Sequence, residues 1–192
     1  VKEILMKPAS PATMTATLTL AVLTAVVLTG CSSPRSDASA PQRSTRAPGP
    51  TPSLNVRAAA ERDALAAYRG MWRAFVHAAS TSNANDPLLT KYATSDALHT
   101  IQSALTKDRR QHRVAKGRVS THPIVLSARP GTRPSQITLR DCADDSHWLT
   151  YHENGGLVDD QPGGKHSVTA IVEDRHGWKV TAFAAHEVGT CT

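Results

Sequence analysis

The apolar residues of this chain change their spacing once, and that change bounds the fold. Leu65, Tyr68, Trp72, Phe75, Val76 and Ala79 recur at helical intervals and form one stripe, with Arg57, Glu61, Arg62, Arg69 and Arg73 on other faces. The spacing predicts a helix from Asn55 that stops at the polar run Ser80-Thr-Ser-Asn-Ala-Asn. Gly70 is a weak point inside it, suited to a close helix–sheet contact. Asp86-Pro87 reads as an N-cap followed by proline at the first helical position, opening a short helix through Tyr92. Ser95 is placed to cap a third helix with Leu98, Ile101 and Leu105 inward, and Gly117 to terminate it.

Beyond Gly117 the runs are those of strands: 118–128, 136–142, 147–152, 165–173 and 178–188, separated by turn residues. Asp174-Arg-His-Gly177 joins the last two as a hairpin. In the final run Trp178, Val180, Ala182, Ala184 and Val188 share a face by the period of two. Phe183 is an apolar exception, and the same parity puts His186 on the apolar face. Helices followed by antiparallel strands is an α+β order. A curved sheet wrapped around the long N-terminal helix is the economical arrangement.

That order across 55–192 resembles the NTF2-like, or cystatin-like, cone fold. The tail Gly163-Gly-Lys-His-Ser-Val-Thr-Ala-Ile-Val, then Gly177-Trp-Lys-Val-Thr and Gly189-Thr-Cys191, is similar to that of secreted actinobacterial lipoproteins. The resemblance implies a pocket between helix and sheet, which Tyr68, Trp72 and Trp178 would line with His186 inside. A pocket histidine or aspartate would fit an isomerase or dehydratase. The competing role for His186 is a hydrogen-bonded core residue.

The N-terminal end carries an address. Lys2 and Lys7 precede an uncharged apolar run, residues 18–28. Eleven residues of helix cover about 16 Å against a hydrocarbon core of about 30 Å, so the run reads as a signal-peptide core rather than a membrane span. Met6 as the start would keep Lys7 ahead of this run, whereas Met14 would leave no positive segment. Leu28-Thr-Gly-Cys31 resembles the bacterial lipobox. It implies diacylglycerol on the Cys31 thiol, cleavage between Gly30 and Cys31, and anchoring at the outer face of the cytoplasmic membrane. Two acyl chains suffice for stable anchoring. The expected organisation is a signal peptide over 1–30, the lipidated cysteine and a Ser/Pro-rich tether over 31–54, and the α+β domain over 55–192. The tether composition cannot bury a core.

Charge and cysteine content then read differently. The 192 residues hold 22 Lys/Arg and 16 Asp/Glu, a formal +6. Five of the basic residues and two of the acids lie in 1–54, which leaves the expected domain at +3. That is weak grounds for nucleic-acid binding, and none is expected. With Cys31 given to lipid, Cys142 and Cys191 remain of the three cysteines. In an exported domain they are expected to pair, closing a loop that would stabilise by about 4 kcal/mol in the chain-entropy model. Two free thiols are the alternative.

Motifs for chemistry are sparse. The nine histidines show no H-E-x-x-H or comparable ligand spacing, and His166, His176 and His186 are scattered. Asp141, Asp144, Asp145, Glu153, Asp159 and Asp160 form an acidic segment without the EF-hand order. Lys107, Arg109, Arg110, Arg113, Lys116 and Arg118 form a basic one, suited to a helix C-terminus or to an anionic surface. Their opposite signs also allow the two segments to face each other. Gly163-Gly-Lys-His lacks the first glycine and the hydroxyl residue of a P-loop. No cofactor or metal is expected. The reading is a membrane-tethered envelope module that binds another envelope protein or a small ligand. An NTF2-like enzyme and a structural accessory subunit without a pocket are the alternatives.

Overall fold

The computed structural model describes residues 52–159 and 161–192. The expected signal peptide, Cys31 and most of the tether lie outside the described residues.

Three helices come first: α1 (Pro52–Ala79), α2 (Pro87–Tyr92) and α3 (Ser95–Arg110). Six strands follow: β1 (Arg113–Gly117), β2 (Ile124–Arg129), β3 (Gln136–Asp144), β4 (Trp148–His152), β5 (Lys165–Asp174) and β6 (Trp178–Ala185). All strand pairing is antiparallel, so the α+β class holds. The strands do not form one sheet as expected. Four make a sheet in the order β2-β3-β5-β6, while β4 leaves it to pair with β1. The turn after Asp144 redirects the chain, with the Trp148 amide donating to the Asp145 carbonyl at 2.8 Å.

Helix α1 lies against both sheets and buries Ala64, Tyr68, Met71, Trp72, Phe75 and Ala78. Its predicted stripe is the buried one, except that Leu65 and Val76 are only half-covered. Gly70 serves a helix–helix contact rather than the expected helix–sheet one: a Cβ there would lie 2.4 Å from the Tyr92 ring of α2. Asp86 caps α2, its carboxylate accepting from the Leu88 amide at 2.8 Å. Ser95 does not cap α3. Thr94 holds that position without a side-chain cap bond; its amide donates to the Val180 carbonyl at 3.0 Å and Ala93 bridges to β6. The chain therefore stays extended up to the first helical residue.

Gly117 does not terminate α3 either. The helix ends at Arg110, and the basic segment continues as β1, whose Val114 and Ala115 are buried. Gly117 closes β1 at a φ of 121°, with its Cα face against the His147 carbonyl. The basic and acidic segments lie side by side, since β1 pairs with β4 from Arg113↔His152 to Gly117↔Trp148. The expected strand over 118–128 begins only at Ile124.

The final strand also departs from the period of two. Its pairing with β5 shifts between Ile171 and Val172, which face Ala182 and Val180. Thr181 is the extra residue of a β-bulge, and a bulge reverses the alternation beyond it. Val180 is buried, then Phe183 packs on the core and Ala185 is buried. Phe183 is thus no exception, and His186 falls on the outside.

The sulfurs of Cys142 and Cys191 lie at bonding distance, with the Cα atoms 5.9 Å apart. The C-terminal segment runs beside β5: the Gly189 amide donates to the Lys165 carbonyl at 2.7 Å, and the Ser167 amide to Thr190 Oγ1 at 2.9 Å.

Candidate functional site

The space between α1 and the sheets is filled by aromatic rings. Trp72 lies 6.1 Å from Phe75, 6.5 Å from Trp148, 6.1 Å from Phe183 and 6.4 Å from Tyr68, centroid to centroid. Phe75 meets Trp148 edge-on at 5.0 Å. Tyr68 and Trp72 therefore meet as expected, but as packed core. Trp178 sits at the hairpin end of β6 opposite Asp174, half-buried, and Phe183 takes the place against Trp72. His186 is exposed beyond β6, its amide donating to the Ser167 carbonyl at 2.9 Å. The four expected lining residues do not converge, and His186 is no pocket residue.

The histidine in the interior is His166. It is fully buried, and neither ring nitrogen has a hydrogen-bond partner among the described residues. Alternation on β5 carried this signal, since His166, Val168, Ala170 and Val172 share one face and all are buried.

The acidic segment is divided among separate duties. Asp141 points inward from β3 and accepts from the Tyr68 hydroxyl at 3.0 Å and from the His122 amide at 2.7 Å. Burial, then the negative charge of Asp141, holds the Tyr68 phenol protonated far above its ordinary range. The Trp72 indole N–H works against this shift from nearby but meets no acceptor in hydrogen-bond geometry. Asp144 accepts from the Ser146 amide at 3.0 Å, and Ser146 holds its carboxyl below the usual range. Asp145 accepts from the Gly164 amide at 2.7 Å, and Glu153 lies 3.2 Å from His112. No group of three potential ligands able to hold a metal ion occurs among the described residues.

The Tyr68–Asp141–His122 chain has a structural consequence at the surface. It ties α1 to the segment that enters β2, and a groove of about 350 Å³ opens between them. Arg69, Trp72, Arg73, Val76 and His77 of α1 form one wall and the floor; Arg118, Val119 and Thr121 form the other wall. Trp72 is 3% exposed, so the floor is the outer edge of the core itself. The second wall is fixed by its backbone. The Arg118 amide donates to the His147 carbonyl at 3.0 Å, and Ser120 and Asp144 exchange two bonds of 2.9 Å. His77 is engaged by the Asp86 carboxylate at 2.8 Å. Arg69, Arg73 and Arg118 are exposed. In the sequence Arg69 and Arg73 lie off the apolar stripe and Arg118 in the basic run, with no local spacing that brings them together.

No helix among the described residues is long and apolar enough to cross a membrane. No family model matches the chain, and no curated protein matches it. Among solved structures it is similar to the intermembrane space region of the chloroplast protein ARC6, at 13% identity and a TM-score of 0.46, over 66% of this chain and 96% of that one.

Proposed function

We propose that the chain is a lipid-anchored module on the outer face of the bacterial cytoplasmic membrane, and that its domain binds an envelope protein or a small ligand through its surface. The lipobox-like Leu28-Thr-Gly-Cys31 supports the anchoring, and the Cys142–Cys191 pair fits an oxidising compartment. The observation that carries the surface reading is the packed contact of Trp72 with Phe75, Trp148 and Phe183 where an NTF2-like pocket would lie. The α1 groove is a concave feature that reaches the outer edge of this core. With His186 exposed beyond β6, the reading does not route chemistry through it.

Fractionation of a lipoprotein-processing bacterial host that expresses the full chain tests this. The native chain should sediment with membranes and Cys31→Ser should move to the soluble fraction. Membrane retention of Cys31→Ser would overturn the anchoring.

A further inference from the structure

Three guanidinium groups surround the α1 groove, and none of them forms an ion pair among the described residues. Ion pairs among the described residues engage Arg57, Arg62, Arg113 and Arg175, but not Arg69, Arg73 or Arg118. Arg69 and Arg73 stand four apart on α1, where like charges repel across one helix turn. Arg118 adds a third positive charge from the facing wall. Among the described residues no carboxylate lines the groove, and the one beside His77 is occupied by it. This arrangement costs the free protein stability that a bound anion would restore.

We propose that the groove is a binding site for a phosphate ester, held between Arg69 and Arg73 on one side and Arg118 on the other. This rests on the surface-binding reading above and names its ligand class. A phosphate monoester brings three acceptor oxygens and a charge near −2, which suits guanidinium forks approaching from two directions. A carboxylate offers two oxygens and one charge, and would leave one fork unmatched. The floor of Trp72, Val76 and Val119 accepts the organic part of the ester. The volume is within the range of small-ligand sites, about 300–1,000 Å³. Both walls are held before any ligand arrives, α1 by its packing and 118–122 by the Ser120–Asp144 and His122–Asp141 bonds.

Glycerol 3-phosphate titrated into the full chain, followed through the arginine Nε–H signals by NMR, tests the site. Saturable shifts at Arg69, Arg73 and Arg118 are expected. Arg73→Gln and Arg118→Gln should each weaken binding about tenfold or more. Arg133→Gln, in the exposed loop before β3, should leave it unchanged. Phosphatidic acid vesicles that displace the probe, where phosphatidylcholine vesicles do not, would identify a lipid headgroup as the source. Failure of both vesicles to displace it would assign the site to a soluble ester. Binding of glutarate as tight as that of glycerol 3-phosphate, equal weakening by Arg133→Gln, or no saturable binding would overturn the proposal. Because this readout needs no lipid on Cys31, its failure is separable from a failure of the anchoring test.

Discussion

Tyr68 shows how one buried contact sets the properties of the surface above it. Its hydroxyl donates to Asp141, 73 positions away in sequence, and the same carboxylate holds the His122 amide. With the phenol pKa raised by burial and by Asp141, the fold favours the neutral form, so this contribution to stability is complete below about pH 10 and declines as pH rises further. Asp144 and Glu173 act at the other end. Ser146 and Arg175 respectively hold their carboxyls below the ordinary range, so their contribution is present above about pH 4 and is lost as pH falls through the lowered values. Alkaline absorbance titration should show one of the three tyrosines ionising only when the chain unfolds. Tyr68→Phe should remove that component, and Asp141→Asn should bring it to lower pH while burial keeps it raised. None of this pairing was legible in the sequence, because it joins a helix to a strand with no local spacing rule between them.

Among the elements, those with long uninterrupted periods were legible and those shaped by a neighbour were not. The α1 stripe and the 174–177 hairpin follow from local chemistry, as does the Asp86-Pro87 start of α2. The strand β1 did not, being five residues within the basic run, two of them basic themselves, stabilised by its pairing with β4. The face of His186 failed for a definite reason: parity counting assumes an unbroken ladder, and the bulge at Thr181 breaks it. Gly70 presents a similar contest. Alanine at an exposed helix site would gain about 1 kcal/mol over glycine. Here the added methyl would overlap the Tyr92 ring at 2.4 Å, and overpacking costs about 1–3 kcal/mol. Gly70→Ala should therefore gain nothing and destabilise the chain in urea by up to about 2 kcal/mol, and Tyr92→Ala should abolish that penalty in the double variant.

For the molecule as a whole, a packed aromatic interior and one covalent brace matter most. The chain has eight aromatic residues, and five of them, Tyr68, Trp72, Phe75, Trp148 and Phe183, are gathered in one cluster under α1. The Cys142–Cys191 pair ties the C-terminal segment to β3 across a sequence separation of 49. Reduction, or Cys142→Ser with Cys191→Ser, should lower unfolding stability by about 2–4 kcal/mol. That pairing follows from giving Cys31 to lipid and the domain to an oxidising compartment, whereas the convergence of Arg69, Arg73 and Arg118 depends on how α1 docks and could not be read from sequence.

The proposed role of the domain rests on the cationic groove above its packed interior. Thermal unfolding of the full chain with and without glycerol 3-phosphate, compared with the Arg73→Gln/Arg118→Gln double variant, tests it most directly. The ligand should raise the melting temperature of the native chain and leave that of the variant unmoved, while the unliganded variant melts at or slightly above the native temperature because a like-charge repulsion has been relieved. An equal ligand shift in both chains, or none in either, would contradict it.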